Sequence, residues 1–244
     1  MAKAAIFKYK SKLPRTLFNK VLDYLIYSYN QMISNNVKYS ERFCRDSTTY
    51  AFEDFLKWNF VKSYLQNEKN KKNSGIKEIF YLTFQFETEK EYIKDEILRR
   101  DKIDIFVSSL GLNTSWNNEA KEDHYFAFEC KRLKNKEKNN LYISDIEKFA
   151  NRDYWQTGFR FPYYGLIAFV EKSKLSINDI VSDIEVRILN KDNLNPVKKD
   201  ATVFYNCISN DFPYCKLSKY HHNSVPIIIK IYHLFFDYSQ IIIE

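Results

Sequence analysis

Hydrophobic and polar positions follow two rhythms along this chain. Residues 14–34, PRTLFNKVLDYLIYSYNQMIS, place Leu17, Val21, Leu25 and Ser28 on one face at helical spacing, and Pro14 suits a first turn. A second helix is predicted over 48–66, TTYAFEDFLKWNFVKSYLQ, with Asp46 or Ser47 as its cap. Phe52, Phe55, Trp58 or Asn59 and Lys62 drift around that helix, so its apolar face is wide. The polar run NEKNKKNSG, 67–75, reads as a loop. The pattern then changes to β-branched and aromatic segments: IFYLTFQF (79–86), ILRRDKIDIFV (97–107) and HYFAFECKR (124–132) are predicted strands. The polar segment 108–123 would join the last two as a long hairpin loop.

After the charged loop KNKEKNN, residues 141–155 return to helical spacing through Ile143, Ile146, Phe149 and Ala150. YYGLIAFVE, 163–171, is nearly all apolar, as a central strand covered on both faces must be. Further strand-like runs lie at 183–189, 202–208 and 226–236, separated by loops such as NKDNLNPVKKD. There is no internal repeat and no Pro/Gly linker. The order of elements predicts an α/β fold, a mixed central β-sheet flanked by helices.

The 244 residues suffice for one sizeable core, or one domain with a small attachment. The net charge of +7 favours a polyanionic partner, because Lys and Arg release counterions from phosphates. The N-terminus, MAKAAIFKYK, has no apolar stretch of signal-peptide length, and no run of about 18 apolar residues predicts a membrane span. The four cysteines, Cys44, Cys130, Cys207 and Cys215, are scattered without a CxxC, which fits a reduced, cytoplasmic protein.

The stretch YFAFECKRL, 125–133, carries the chemistry. Along a strand Ala127, Glu129 and Lys131 share one face, and Phe126, Phe128 and Cys130 the other. Charges on a strand this apolar need partners or a polar cleft. If 97–107 and 124–132 pair as a hairpin, Asp104 meets Glu129 near one end. Two carboxylates brought together repel, and a divalent cation keeps both ionised. Oxygen ligands suit Mg²⁺ or Mn²⁺, which activates water, with Lys131 beside the nucleophile. The competing expectation is a surface hairpin with a Glu129–Lys131 or Asp104–Lys131 ion pair.

An Asp ending one strand, followed on the next by Glu-x-Lys, resembles the PD-(D/E)XK nuclease superfamily. Here the motif reads IDIFV, 24 residues between Asp104 and Glu129, then FECK, with Ile103 where the family usually has proline. The resemblance covers roughly residues 40–171 and implies a restriction-endonuclease-like αβββαβ core with extra C-terminal strands. It divides the chain into an N-terminal helical extension (1–40), the nuclease-like core (41–171) and a β-rich C-terminal extension (172–244). It implies that Asp104 and Glu129 bind metal with the Cys130 carbonyl, and that Lys131 positions or activates the attacking water. Glu53 is the choice for an added acidic ligand, with Asp46 and Glu41 as runners-up. The implied activity is a Mg²⁺- or Mn²⁺-dependent nuclease acting on phosphodiesters, DNA favoured, in a defence or mobile-element context. The implied partners are nucleic acid and a second copy or a defence-system protein, with no membrane. A catalytically inactive nucleic-acid-binding or protein-interaction module on the same fold is the alternative.

Arg99, Arg100, Lys102, Arg132 and Lys134 flank the proposed site and are the candidates for holding phosphates. Gln156 gives no clean motif with Arg160 or Tyr163. Cys207, Cys215, His221, His222 and His233 match no zinc spacing, and small buried thiols and surface imidazoles account for them.

Overall fold

The computed structural model describes residues 12–94, 97–108, 125–151, 162–171, 176–198, 202–207, 212–223 and 226–243. Its centre is a seven-stranded mixed sheet of order β2-β3-β4-β5-β8-β7-β6. The strands are β2 (Thr83–Lys94), β3 (Ile97–Ser108), β4 (Tyr125–Leu133), β5 (Tyr163–Val170), β6 (Tyr205–Asn206), β7 (Cys215–His221) and β8 (Ile228–Asp237). β2, β3 and β4 are successively antiparallel; β4, β5 and β8 are parallel; β7 and β6 return antiparallel at the far edge. A two-residue strand β1 (Tyr39–Ser40) pairs with β9 (Ile242–Ile243) outside this sheet.

Helices cover both faces. On one lie α1 (Lys12–Ser34) and α3 (Phe52–Asn59), the latter running on into a π-helical turn, Phe60–Leu65. Their buried residues, among them Phe18, Val21, Leu25, Phe55 and Phe60, pack on Phe126, Phe128, Cys130, Ile167 and Phe236 of the sheet. On the other face α5 (Asn139–Asn151) and α6 (Ile177–Leu189) pack on Ala127, Leu166, Ala168, Ile231 and Phe235. β5 is buried along its whole length, as its unbroken apolar run requires. Its Gly165 pairs with Phe128, and a Cβ there would stand 1.9 Å from the Phe128 ring.

Several expectations are corrected. The 48–66 helix is preceded by a separate helix, α2 (Glu41–Ser47), which contains both Asp46 and Ser47. Ser40 caps it, and Thr48 ends it by bonding the Cys44 carbonyl at 2.9 Å. α3 then starts at Phe52 with no side-chain cap. The polar run 67–75 holds a short helix, α4 (Glu68–Asn73), capped by Asn67. Its inward residues hydrogen-bond rather than pack: Asn70 donates to Ser28 Oγ and the Tyr64 carbonyl, each at 3.0 Å. Residues 79–81 form 3-10 helix, not strand. The 183–189 run is the end of helix α6, because Ile177, Ile180, Val181, Ile184 and Ile188 are buried at helical spacing and Ser176 with Asp179 forms a capping box. β-branched residues there mimic a strand, but their spacing decides. Thus 172–244 is not purely β-rich, and its strand β8 lies directly against β5. Of the expected loop 108–123, Ser108 ends β3 and 109–123 lie outside the described residues, as do 152–161, which include the end of the expected helix 141–155, Gln156 and Arg160. No helix among the described residues is long and apolar enough to cross a membrane.

Candidate active site

The site forms where strand pairing is interrupted. β3 and β4 pair from Ser108↔Tyr125 to Ile105↔Phe128, and Asp104 lies one residue beyond. On its other side β2 pairs Phe86 with Ile105 and Thr88 with Ile103, and Glu87 between them takes a left-handed φ of 51°. A non-glycine residue in that region costs about 1 kcal/mol or more. The irregularity has a readable effect. Ile103 packs in the α5/α6 core and Ile105 in the α1/α3 core, although residues two apart on a regular strand share a face.

Asp104 thereby reaches both neighbours. Its Oδ2 accepts the Cys130 N–H at 2.8 Å, and its Oδ1 accepts from Lys57 Nζ of α3 at 2.8 Å. β4 alternates as its sequence requires. Phe126, Phe128 and Cys130 join the aromatic core under α1, while Glu129 and Lys131 meet α5. Glu129 Oε1 accepts from Lys148 at 2.7 Å, and Lys148 also lies 3.1 Å from Asp101. Lys131 Nζ lies 3.2 Å from Asp145 and 3.8 Å from Glu53. The other Glu53 oxygen accepts the Arg132 N–H at 3.0 Å, which ties α3 to the end of β4. Lys57 also lies 2.6 Å from Asp54.

Each of three lysines therefore spans two carboxylates: Lys57 between Asp54 and Asp104, Lys131 between Glu53 and Asp145, Lys148 between Asp101 and Glu129. Fully ionised, the cluster carries three more negative charges than positive. Neither ion pair of the surface-hairpin expectation forms, and Asp104 and Glu129 are almost wholly buried.

The charges tune one another. Burial disfavours the Asp104 carboxylate, but the charge and hydrogen bond of Lys57 and the Cys130 N–H outweigh it and hold its pKa below the usual value. Burial and the Asp104 charge push Glu129 well above the carboxylate range, with Lys148 opposing. Burial also raises Asp145, against the pull of Lys131 and Lys148. Lys131 is raised: burial opposes its charge, but Asp145, Glu53, Asp104 and Glu129 together prevail. It is an ammonium at neutral pH.

Among the described residues no group of three or more His, Cys, Asp or Glu is arranged to hold a metal ion. The donor set nevertheless fits a hard divalent cation in kind: Asp104, Glu129 and Glu53 offer carboxylate oxygens beside surplus negative charge, with the buried Asp145 carboxylate close by on Lys131. Lys57 and Lys148 now hold oxygens that such a cation would take. Of the acidic candidates from the preceding helices, Glu53 stands beside Lys131, Glu41 is bound by Arg132 and Lys134, and Asp46 pairs with Arg42 and Arg45 at the surface.

The basic candidates divide. The Arg132 guanidinium bonds Glu171 and Glu41 and lies 4.6 Å over the Phe52 ring. Lys134 is 3.0 Å from Glu41. The hydrogen bonds from Arg132 and Lys134 lower the Glu41 pKa to about 2. Arg99 and Arg100 are exposed on β3. Sequence reasoning missed Lys57, Asp54, Asp101, Asp145 and Lys148. A signal existed for two of them: Asp145 and Lys148 stand one turn apart amid the apolar residues of α5. The cysteines are free; His222 and His233 are not surface imidazoles but buried, and His233 bonds Ser218 Oγ at 2.7 Å and Tyr142 OH at 2.9 Å as a core histidine. Comparison of the chain with family models, with curated proteins and with solved structures found no match.

Proposed function

We propose that this chain is a divalent-metal-dependent nuclease that hydrolyses phosphodiester bonds, with DNA the favoured substrate, on a restriction-endonuclease-like core. One observation carries the reading. Asp104 and Glu129-x-Lys131 stand on adjacent antiparallel strands, followed by α5 and the parallel strand β5, with Glu53 of the preceding helix beside Lys131. Asp104, Glu129, the Cys130 carbonyl and Glu53 would hold the ion. Mg²⁺ or Mn²⁺ supplies Lewis-acid charge at the phosphate and a more acidic water. Lys131, held as an ammonium, positions the phosphate and offsets the charge that develops on it. In that state it does not accept the water's proton. Arg99 and Arg100 would contact the strand, whereas Arg132 and Lys134 act first on Glu41 and Glu171.

A second reading, an inactive nucleic-acid-binding or interaction module, is favoured by the lysine contact that each site carboxylate already has. Cleavage of supercoiled, linear and single-stranded DNA and of RNA, with Mg²⁺, with Mn²⁺ and with EDTA, separates the two. Metal-dependent cutting that Lys131→Ala abolishes while binding persists supports the nuclease. Equal cutting by the variant refutes the role of Lys131. Salt-sensitive binding without cutting by the wild type supports the module.

A further inference from the structure

A second polar site lies at the other end of the sheet from the carboxylate–lysine cluster, beyond β5. A cavity of about 420 Å³ opens between α1 and the β6–β7–β8 edge. Three cations line it: Arg15 from α1, Lys219 from β7 and Lys230 from β8. Lys219 and Lys230 are direct partners in the antiparallel ladder. Like charges placed directly opposite destabilise a sheet, and here both occur with Arg15 close by. Among the described residues neither lysine is bound to a carboxylate. Each leans instead on an aromatic ring, Lys219 at 4.9 Å from the Tyr205 centroid and Lys230 at 5.3 Å from that of Tyr163. Burial and the charges of Arg15 and Lys219 lower the Lys230 pKa, so this positive charge is undercompensated. Asp23 is the one carboxylate in the lining, against three cations.

We propose that this cavity binds the phosphate of a nucleotide, with Arg15, Lys219 and Lys230 on the phosphate and Tyr205 and Tyr232 as walls for the base. A phosphate removes the repulsion that the paired lysines create, and the guanidinium of Arg15 matches its oxygens. The volume falls within the range of small-ligand sites, and the half-buried Tyr205 and the edge of the more buried Tyr232 put aromatic surface at its wall. Asn19 and Asn206 add amide donors and acceptors at the wall. The site shares no residue with the carboxylate–lysine cluster and stands whether or not that cluster is catalytic.

The test is calorimetric titration of the full chain in EDTA with adenosine 5′-monophosphate, adenosine, inorganic phosphate and a short single-stranded oligonucleotide. EDTA keeps any metal-dependent binding elsewhere from contributing. Saturable binding of the monophosphate, weaker binding of adenosine, and a loss of about tenfold or more in Lys230→Gln are expected. The double variant Lys219→Gln/Lys230→Gln should fold at least as stably as the wild type, since it removes a repulsion, while its ligand-induced rise in Tm disappears. If only the oligonucleotide binds, with the same loss in the variants, the phosphate belongs to a nucleic-acid strand and the site stands. Absence of binding by every phosphate probe, or binding that both variants retain, overturns the proposal.

Discussion

Lys57 is buried, 4% exposed, and its ammonium is 2.8 Å from Asp104 and 2.6 Å from Asp54. Replacing it with methionine keeps most of the side-chain volume and removes the charge. Asp54 is partly exposed and can turn to water. Asp104 cannot: it is 6% exposed and keeps the Cys130 N–H as its remaining hydrogen bond. Breaking a buried pair on one side costs about 3–5 kcal/mol. For a chain of this size that lowers Tm by about 6–20 °C. The pH dependence carries the sharper test. In the wild type the Asp104 pKa is lowered, so its stabilisation is present above the ordinary carboxylate pKa and lost as pH falls through the folded value. Without Lys57, burial prevails and the folded pKa rises. The penalty is then largest near neutral pH and shrinks as acid protonates Asp104. Urea unfolding of both proteins in EDTA, from about pH 8 to about pH 4, should show the gap narrowing with acid. Lys57→Met/Asp104→Asn should recover most of the loss. A gap below about 1 kcal/mol at neutral pH, or one that does not change with pH, refutes the buried ion pair.

Three further outcomes follow from the same geometry. Gly165→Ala places a methyl 1.9 Å from a Phe128 ring that stacks on Phe18 with centroids 5.4 Å apart, so a loss of about 1–3 kcal/mol is expected by thermal unfolding; an unchanged Tm would contradict the β4–β5 register. Burial lowers the His233 pKa to about 3, so the stability due to its neutral form is full above about pH 6.5 and falls by up to about 1.4 kcal/mol per unit as pH drops toward the folded value. His233→Gln should flatten that acid slope in urea titrations, and parallel slopes would rule the histidine out as its source. Added Mg²⁺ or Mn²⁺ should raise the Tm of the wild type and not of Asp104→Asn; equal shifts in the two would remove Asp104 from the ion's ligands.

The sequence alone determined the main layers. Helical spacing in 14–34 and 141–155, the alternation of 125–133 and the apolar run 163–171 each settle an element through its own burial pattern, and all four elements appear, α5 over its described residues Asn139–Asn151 and β5 over Tyr163–Val170. The opposed faces of β4 were also readable, because pleating alone puts Glu129 and Lys131 opposite Phe128 and Cys130. Only the tertiary structure decided how the charges are satisfied. Lys57, Asp145 and Lys148 arrive from helices that sequence spacing cannot bring to a strand, and the Asp104 carboxylate turns toward α3 because strand pairing stops beside it. The like-charged pair Lys219 and Lys230 is likewise a product of register. Local periodicity is a one-dimensional signal that each element carries within itself. The cost of burying a charge depends on what lies within a few ångströms, and distant segments supply those neighbours only once the chain has folded.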